Sequence, residues 1–270
     1  MITVNVKGGL RRMEYIDSRQ EGDVYRIHFN RERYFNAFNY GMLRELEQII
    51  EEIMNSDGVK VVLFTAAGKK AFSSGADLKE RLGLDENRTM RNVKLISSVF
   101  DKIGRLDPVT ICKVDGLAFG GGMELILACD FAIAAESAEL GLTEVGWGII
   151  PGGGGTQRLA ALAGVNKARE MILLSEKISA AEAEKYGIIY RMVKADDLDA
   201  AVENLVDILL AQPKVALHAA KRAINDSMEH SVSEGVEVER LHYLKTLKTY
   251  DRMEALNSFS EKRKPVFRDE

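Results

Sequence analysis

A change of character near residue 196 constrains the fold of this chain more than any other feature. Before it, short β-branched runs alternate with amphipathic stretches. Beyond it, every periodic segment is helical. Val24–Phe29 alternates at period two and predicts a strand. Lys60–Thr65, Pro108–Val114 and Asp130–Ala135 are short, continuous apolar runs, as expected of strands covered on both faces. Met42–Met54 and Asn87–Ile103 carry apolar residues at helical spacing. Strands with intervening helices imply a layered α/β core. Leu198–Leu210, Lys214–Met228, Val232–Leu247 and Arg252–Lys262 all predict helices, and no strand run follows Met192. The expected division is an α/β core over residues 1–195 and a helical region over 196–270. At 270 residues the chain suits one large domain with a smaller appendage. No repeat of identical letters stands out.

Several function classes conflict with the composition. With 37 basic and 41 acidic residues the formal net charge is −4, which argues against a protein wrapped broadly around nucleic acid. It leaves room for a local basic pocket. No stretch approaches the ~18 apolar residues of a membrane span. The opening MITVNVKGGLRRMEY lacks a basic stretch followed by an apolar run, so the expectation is a cytoplasmic protein without a secretory signal. Cys112 and Cys129 are too few for a four-thiolate site and are expected as two buried free thiols. The four histidines show no H-x-x-x-H pairing, so no metal is expected.

Glycine is placed very unevenly: eleven of the 23 fall between Gly116 and Gly155. Apolar and acidic residues interrupt the cluster, so it is not a flexible linker. It predicts tight turns or close approach of backbone to a ligand. Three segments carry it or precede it: Lys70–Glu80, Asp115–Leu125 and Gly141–Thr156. In the second, the run Val109–Val114 leads through a turn and Gly120-Gly121-Gly122 into apolar Met123–Ala128, which predicts strand, tight loop and helix start. Amides at a helix start lack internal partners and attract negative charge. Glu124 then falls in the first helical turn, where it reads equally as a surface acid complementing the dipole or as a functional carboxyl. The third segment holds a second isolated acid, Glu144, between apolar neighbours and just ahead of a Gly152–Gly155 run. Two such acids form a candidate acid–base pair, because burial and mutual proximity raise carboxyl pKa values toward neutrality. Other motifs fail: no lysine follows Gly155 as a P-loop requires, and Pro151 stands where a dinucleotide fingerprint needs its third glycine. Ser73 and Ser74 lack the glycines of a nucleophile elbow and read as turn residues.

Together these three segments resemble the signature of the crotonase (enoyl-CoA hydratase/isomerase) superfamily. The resemblance runs from Asn36-Ala37-Phe38-Asn39 to Phe259-Ser260-Glu261-Lys262-Arg263. It implies an α/β spiral of ββα units with a C-terminal helical trimerisation region, giving a homotrimer or a hexamer built as a dimer of trimers. It implies that the N–H groups of Ala76 and Gly121 form an oxyanion hole for a thioester carbonyl, and that Glu124 and Glu144 are the catalytic pair. Ala37, Ala76, Asp77, Leu78 and Lys79 would line the path of coenzyme A, and Phe259 and Lys262 would reach toward the CoA of a neighbouring subunit. Arg31, Arg33 and Arg263 read equally as CoA-phosphate contacts or as solvated surface. No cofactor is implied, since CoA belongs to the substrate.

Both glutamates stand where hydratases of that superfamily carry theirs, so the expected reaction is reversible addition of water across the C2=C3 bond of a 2-enoyl-CoA. Glu124 would take the water proton and Glu144 supply the proton to C2. The runs Gly75–Arg81, Ile149–Gly155 and Glu261–Pro265 look most like methylglutaconyl-CoA hydratases; an isomerase or a CoA-ester hydrolase is the alternative within the superfamily. That hydratase branch includes an RNA-binding member, but here Glu45, Glu47, Glu51 and Glu52 crowd the comparable helix, so RNA binding is not expected. Met123 and Trp147 depart from the residues expected in that branch. Either reshapes the acyl pocket or packs in the core, and core packing is favoured for Met123. Arg81–Val93 is expected to form part of the acyl-pocket wall.

Overall fold

A computed structural model describes residues 9–228 and 230–270. The chain opens with an antiparallel meander, β1 (Arg11–Arg12), β2 (Ile16–Glu21) and β3 (Val24–Phe29), followed by α1 (Tyr40–Met54). A repeating pattern then begins. β4 (Val61–Ala66) joins the large sheet, β5 (Ala71–Ser73) joins a second sheet, and α2 (Leu78–Arg81) and α3 (Glu86–Gly104) return the chain. The next turn is β6 (Val109–Val114), β7 (Leu117–Phe119) and α4 (Gly121–Ala128). A third is β8 (Phe131–Ala135), β9 (Glu139–Gly141), α5 (Gly155–Ala163) and α6 (Val165–Leu173). β10 (Lys177–Ser179), α7 (Ala180–Lys185) and β11 (Arg191–Val193) complete the sheets. Four helices end the chain: α8 (Leu198–Leu210), α9 (Lys214–Ser227), α10 (Val232–Leu244) and α11 (Tyr250–Glu261).

The large sheet runs β1-β2-β3-β4-β6-β8-β11 and the small one β10-β9-β7-β5. Pairing is parallel from β3 to β11 in the first and from β5 to β9 in the second. Every turn of the chain therefore places one strand in each sheet before its helix, which is a spiral of ββα units. Only two to four residues separate the two strands of each unit, too few for periodicity to reveal the change of sheet. β5, β7 and β9 are only three residues long.

Burial explains the continuous apolar runs. In β4, Val62 and Phe64 face the main core with Phe29, Phe72 and Phe100, whereas Val61 and Leu63 face the other side. That outer side is covered by Leu198, Val202, Leu205 and Leu209 of α8. A side chain of this kind contributes about 1.5–3 kcal/mol when fully buried. The boundary at residue 196 thus marks a change of element type, and the first helix beyond it packs on the large sheet.

Some expectations need correction. The path from Val114 to the helix start is not a simple loop, because β7 intervenes between Gly116 and Gly120. Its first residue, Leu117, pairs with Ala71 of β5. Both thiols are free, but only Cys112 is buried; Cys129, at the end of α4, reaches solvent in part, with the two sulfurs 3.4 Å apart. Met123 packs in the core, as favoured. Among the described residues, no helix is long and apolar enough to cross a membrane.

Candidate active site

The parallel strands β5, β7 and β9 lie side by side, and the chain leaves all three at the same end of the small sheet. Ala76 follows two residues after Ser74, just past β5. Gly121 follows β7, and Glu144 follows β9. Ligand sites form at such carboxyl ends of parallel strands, where loops from neighbours converge. Here they close around a cavity of about 60 Å3, lined by Gly75, Ala76, Gly121, Glu124 and Glu144 among others. One water takes about 30 Å3 in the liquid, so the space admits a small reactant.

Two backbone amides open into this space. Phe38 and Ala76 form a single parallel bridge, in which Phe38 N donates to Gly75 O (2.7 Å) and Asp77 N to Phe38 O (3.0 Å). The amide of Ala76 lies between these bonds and has no acceptor among the described residues. The amide of Gly121, the first residue of α4, has none either, as expected at a helix start. Gly75 brings the two loops together. Its φ is +93°, and a Cβ there would lie 2.8 Å from Phe119 O and 3.0 Å from Gly121 N. Only glycine permits that approach without displacement. Ser73, expected in a turn, is instead the buried last residue of β5, where its hydroxyl donates to Asn36 O and accepts from Gly75 N.

The two glutamates have unequal surroundings. Glu124 is 2% exposed, which removes the surface-acid reading. Its Oε1 accepts hydrogen bonds from Gly153 N (2.7 Å) and Gly155 N (2.9 Å). Burial raises its pKa above the usual carboxylate range, and these two amides oppose the rise. Glu144 lies on a 3-10 turn, Glu144–Trp147. Its Oε2 is buried without a partner among the described residues, and burial together with the charge of Glu124 pushes its pKa up to about 7. One carboxyl is therefore held by fixed donors that favour its anion. The other is poised near neutrality.

The Gly153 and Gly155 donors were missing from the sequence reading. Their signal was present, however, in the Gly152–Gly155 run that starts α5. A Cβ at Gly153 would lie 2.8 Å from Glu124 Oε2, and one at Gly155 3.0 Å from Oε1. The glycines let the backbone clamp the acid.

The other candidate residues divide. Leu78 lines the cavity beside Ala76. Asp77 is committed to structure: it caps α2 through Lys79 N (2.9 Å) and Glu80 N (3.1 Å) and pairs with Arg31 (2.7 Å). Its pKa is held below the usual value; burial raises it, and the capping amides and Arg31 outweigh that. Ala37 is buried, and its carbonyl accepts from Arg31 (2.9 Å). Arg31, Arg33 and Lys79 gather around the Tyr34 ring at 4.3, 6.0 and 6.0 Å from its centroid. Phe259 (86% exposed) and Lys262 sit on and just beyond α11, away from the residues that line the cavity. Arg263 pairs with Glu254 and Glu261. Trp147 is 68% exposed at the cavity wall. Among the described residues, no group of three His, Cys, Asp or Glu side chains is placed to hold a metal.

The family profile described as enoyl-CoA hydratase/isomerase matches residues 19–270. The chain is 36% identical over 263 residues to the mitochondrial methylglutaconyl-CoA hydratase of Mus musculus, covering 96% of this chain and 83% of that one. It is 35% identical over 248 residues to the short-chain-enoyl-CoA hydratase of Clostridium acetobutylicum, covering 91% and 94%. The crystal structure of enoyl-CoA hydratase from Bacillus anthracis superposes with a TM-score of 0.92 at 39% identity, over 95% of this chain and all of that one.

Proposed function

The chain belongs to the enoyl-CoA hydratase/isomerase family, and from that premise we propose that it is an enoyl-CoA hydratase. The observation that carries this reading is one cavity bounded by two amides without an acceptor among the described residues and two carboxyls of unequal environment. The thioester carbonyl accepts hydrogen bonds from Ala76 N and Gly121 N, which hold the negative charge that develops as C2 gains enolate character. A donor of this kind contributes about 3 kcal/mol to lowering the barrier. Glu124, oriented by the amides of Gly153 and Gly155, takes a proton from water as the oxygen bonds to C3. Glu144, whose pKa lies near 7, gives its proton to C2. The C2=C3 π bond and one O–H bond each of water and Glu144 break, C3–O, C2–H and Glu124 O–H bonds form, and the proton on Glu124 returns to Glu144 through solvent.

CoA is part of the substrate, so no separate cofactor enters. Leu78 and Lys79 would guide the pantetheine and phosphates past Tyr34, while Ala37 and Asp77 act by shaping that turn. α9 and α10 leave Ile224, Val232, Leu241 and Tyr243 exposed, an apolar surface that supports assembly as a trimer or a pair of trimers. Phe259 and Lys262 would then reach a neighbour's CoA. Two carboxyls at the site favour hydration over isomerisation, which needs fewer proton-transfer groups.

The test is loss of enoyl-thioester ultraviolet absorbance with crotonyl-CoA. Loss should be rapid for the parent protein and slowed by at least ~100-fold in Glu124→Gln and in Glu144→Gln. Near-normal rates in both variants would refute the mechanism.

A further inference from the structure

Four consecutive glycines, Gly152–Gly155, form the strap that clamps Glu124, and they have no side chains with which to fix themselves. Backbone freedom in such a run is high. One side chain anchors it. Arg158, the fourth residue of α5, turns back toward the helix start, and its Nη1 donates to Gly153 O (2.8 Å). That carbonyl belongs to the peptide joining Gly153 to Gly154, so it lies between the two amides that donate to Glu124 Oε1. Gly154 leaves room for the guanidinium: its φ is +99°, and a Cβ there would strike Nη1. The cation sits near the positive end of the helix macrodipole, a position unfavourable for it in isolation. Its Nη2 lies 3.8 Å from Asp101 Oδ1 of α3, a carboxylate that also pairs with Arg105. The bond to Gly153 is the shorter of these two ties.

Arg158 lies outside the cavity lining, so it acts through Glu124 and not on the reacting atoms. The charged groups that act on Glu124 are Glu144 from the turn after β9, Arg81 from α2 and Arg158 from α5. Burial raises the pKa of Glu124; the amides of Gly155 and Gly153 oppose the rise, and the charge of Arg158 adds to their effect. We propose that Arg158 is a positioning residue for Glu124: by holding the peptide between Gly153 and Gly154, it keeps both clamping amides aimed at Oε1. A group displaced by about 1 Å from its reacting geometry can slow the step by about 100-fold. This rests on the hydratase reading for the base role of Glu124, but the clamp can be read without turnover.

Three variants separate positioning from a merely structural role. Arg158→Met removes the donor and the charge but keeps an unbranched chain. Arg158→Lys keeps the charge and one donor, and Asp101→Asn weakens the tie to α3 while leaving the bond to Gly153. With crotonyl-CoA, and with rates normalised to the folded fraction by circular dichroism, Arg158→Met should lose about 10–100-fold in kcat. Its KM should stay within about threefold, because the amides of Ala76 and Gly121 are untouched. The acid limb of its kcat profile, set by Glu124, should move to higher pH. Arg158→Lys should recover part of the loss, and Asp101→Asn should stay within about twofold of the parent. A kcat within about twofold of the parent in Arg158→Met, an unmoved limb, or an equal loss in Asp101→Asn overturns the proposal. Urea unfolding from about pH 4 to about pH 8 reads the clamp without substrate. Burial keeps a proton on Glu124 that the unfolded chain has released, so Glu124→Gln gains stability relative to Glu124 as pH rises. That gain should be larger in the Arg158→Met background than in the parent background, and equal gains overturn the proposal. If crotonyl-CoA is hydrated but the gains are equal, the inference fails while the hydratase reading stands. If crotonyl-CoA is not hydrated, the hydratase reading loses its support, and the two gains alone decide the role of Arg158.

Discussion

Replacing Glu144 with glutamine should raise stability while it removes activity. Folding moves the pKa of this carboxyl from 4.5 to about 7, through burial first and the charge of Glu124 second. Between those values the folded chain keeps a proton that the unfolded chain has released. Stability therefore falls as pH rises through the window, and the whole loss is present above its upper end. Each pKa unit is worth about 1.4 kcal/mol, so the ionised side chain costs about 3 kcal/mol of folding free energy there. Water at the partly open cavity screens some of this, leaving about 2 kcal/mol. Glutamine cannot ionise. Its amide adds an offset that does not vary with pH, so the quantity to read is the slope. Urea unfolding at one fixed protein concentration, repeated from about pH 4 to about pH 8, should show the variant gaining about 2 kcal/mol relative to the parent across that range. Parallel stability curves for the two proteins would show that Glu144 is not a buried acid of raised pKa, and the proton-donor argument would lose its basis.

Gly75→Ala should lower kcat by about 100-fold or more, because its Cβ would meet Phe119 O and Gly121 N and force apart the two free amides; a normal kcat would mean that these amides do not bind the reacting carbonyl. Glu124→Gln should keep the fold, since an amide oxygen can still accept from Gly153 and Gly155, while hydration falls by about 100-fold or more; circular dichroism and the absorbance assay together check this. For the parent protein, kcat/KM in hydration should fall as pH rises past about 7 with the proton of Glu144, a limb that is absent if Glu144 is not the donor. Asp77→Ala removes the cap of α2 and the partner of Arg31, and should destabilise the chain by about 1–3 kcal/mol in thermal or urea unfolding.

Longer elements were legible because their burial is one-sided or complete. Val24–Phe29 and Leu198–Leu210 have the expected bounds, since their alternation and helical spacing follow directly from the sheet and helix faces they bury. β2 was not, because only Ile16 and Ser18 of its six residues are buried and the strand is otherwise polar. The three-residue strands of the small sheet are too short for a period-two alternation to stand out. Side-chain partners were the least legible. The pairing of Asp77 with Arg31 spans 46 residues, beyond the reach of any local pattern.

The site itself was readable for a topological reason. Glu124 and Glu144 are 20 residues apart because one ββα turn separates the loop after β7 from the loop after β9. Parallel neighbours in a sheet lie about 4.8 Å apart, so a fixed step along the chain becomes a short step across the cavity. The glycines mark where those loops must pass close: Gly75 beside Gly121, and Gly153 and Gly155 around Glu124. Glycine there is set by contacts between turns of the spiral rather than by the turn that contains it. A chain that kept both acids but filled those positions with alanine would preserve its hydrophobic pattern and lose the geometry, since a Cβ at Gly75 or Gly153 lies within 3 Å of a neighbouring oxygen.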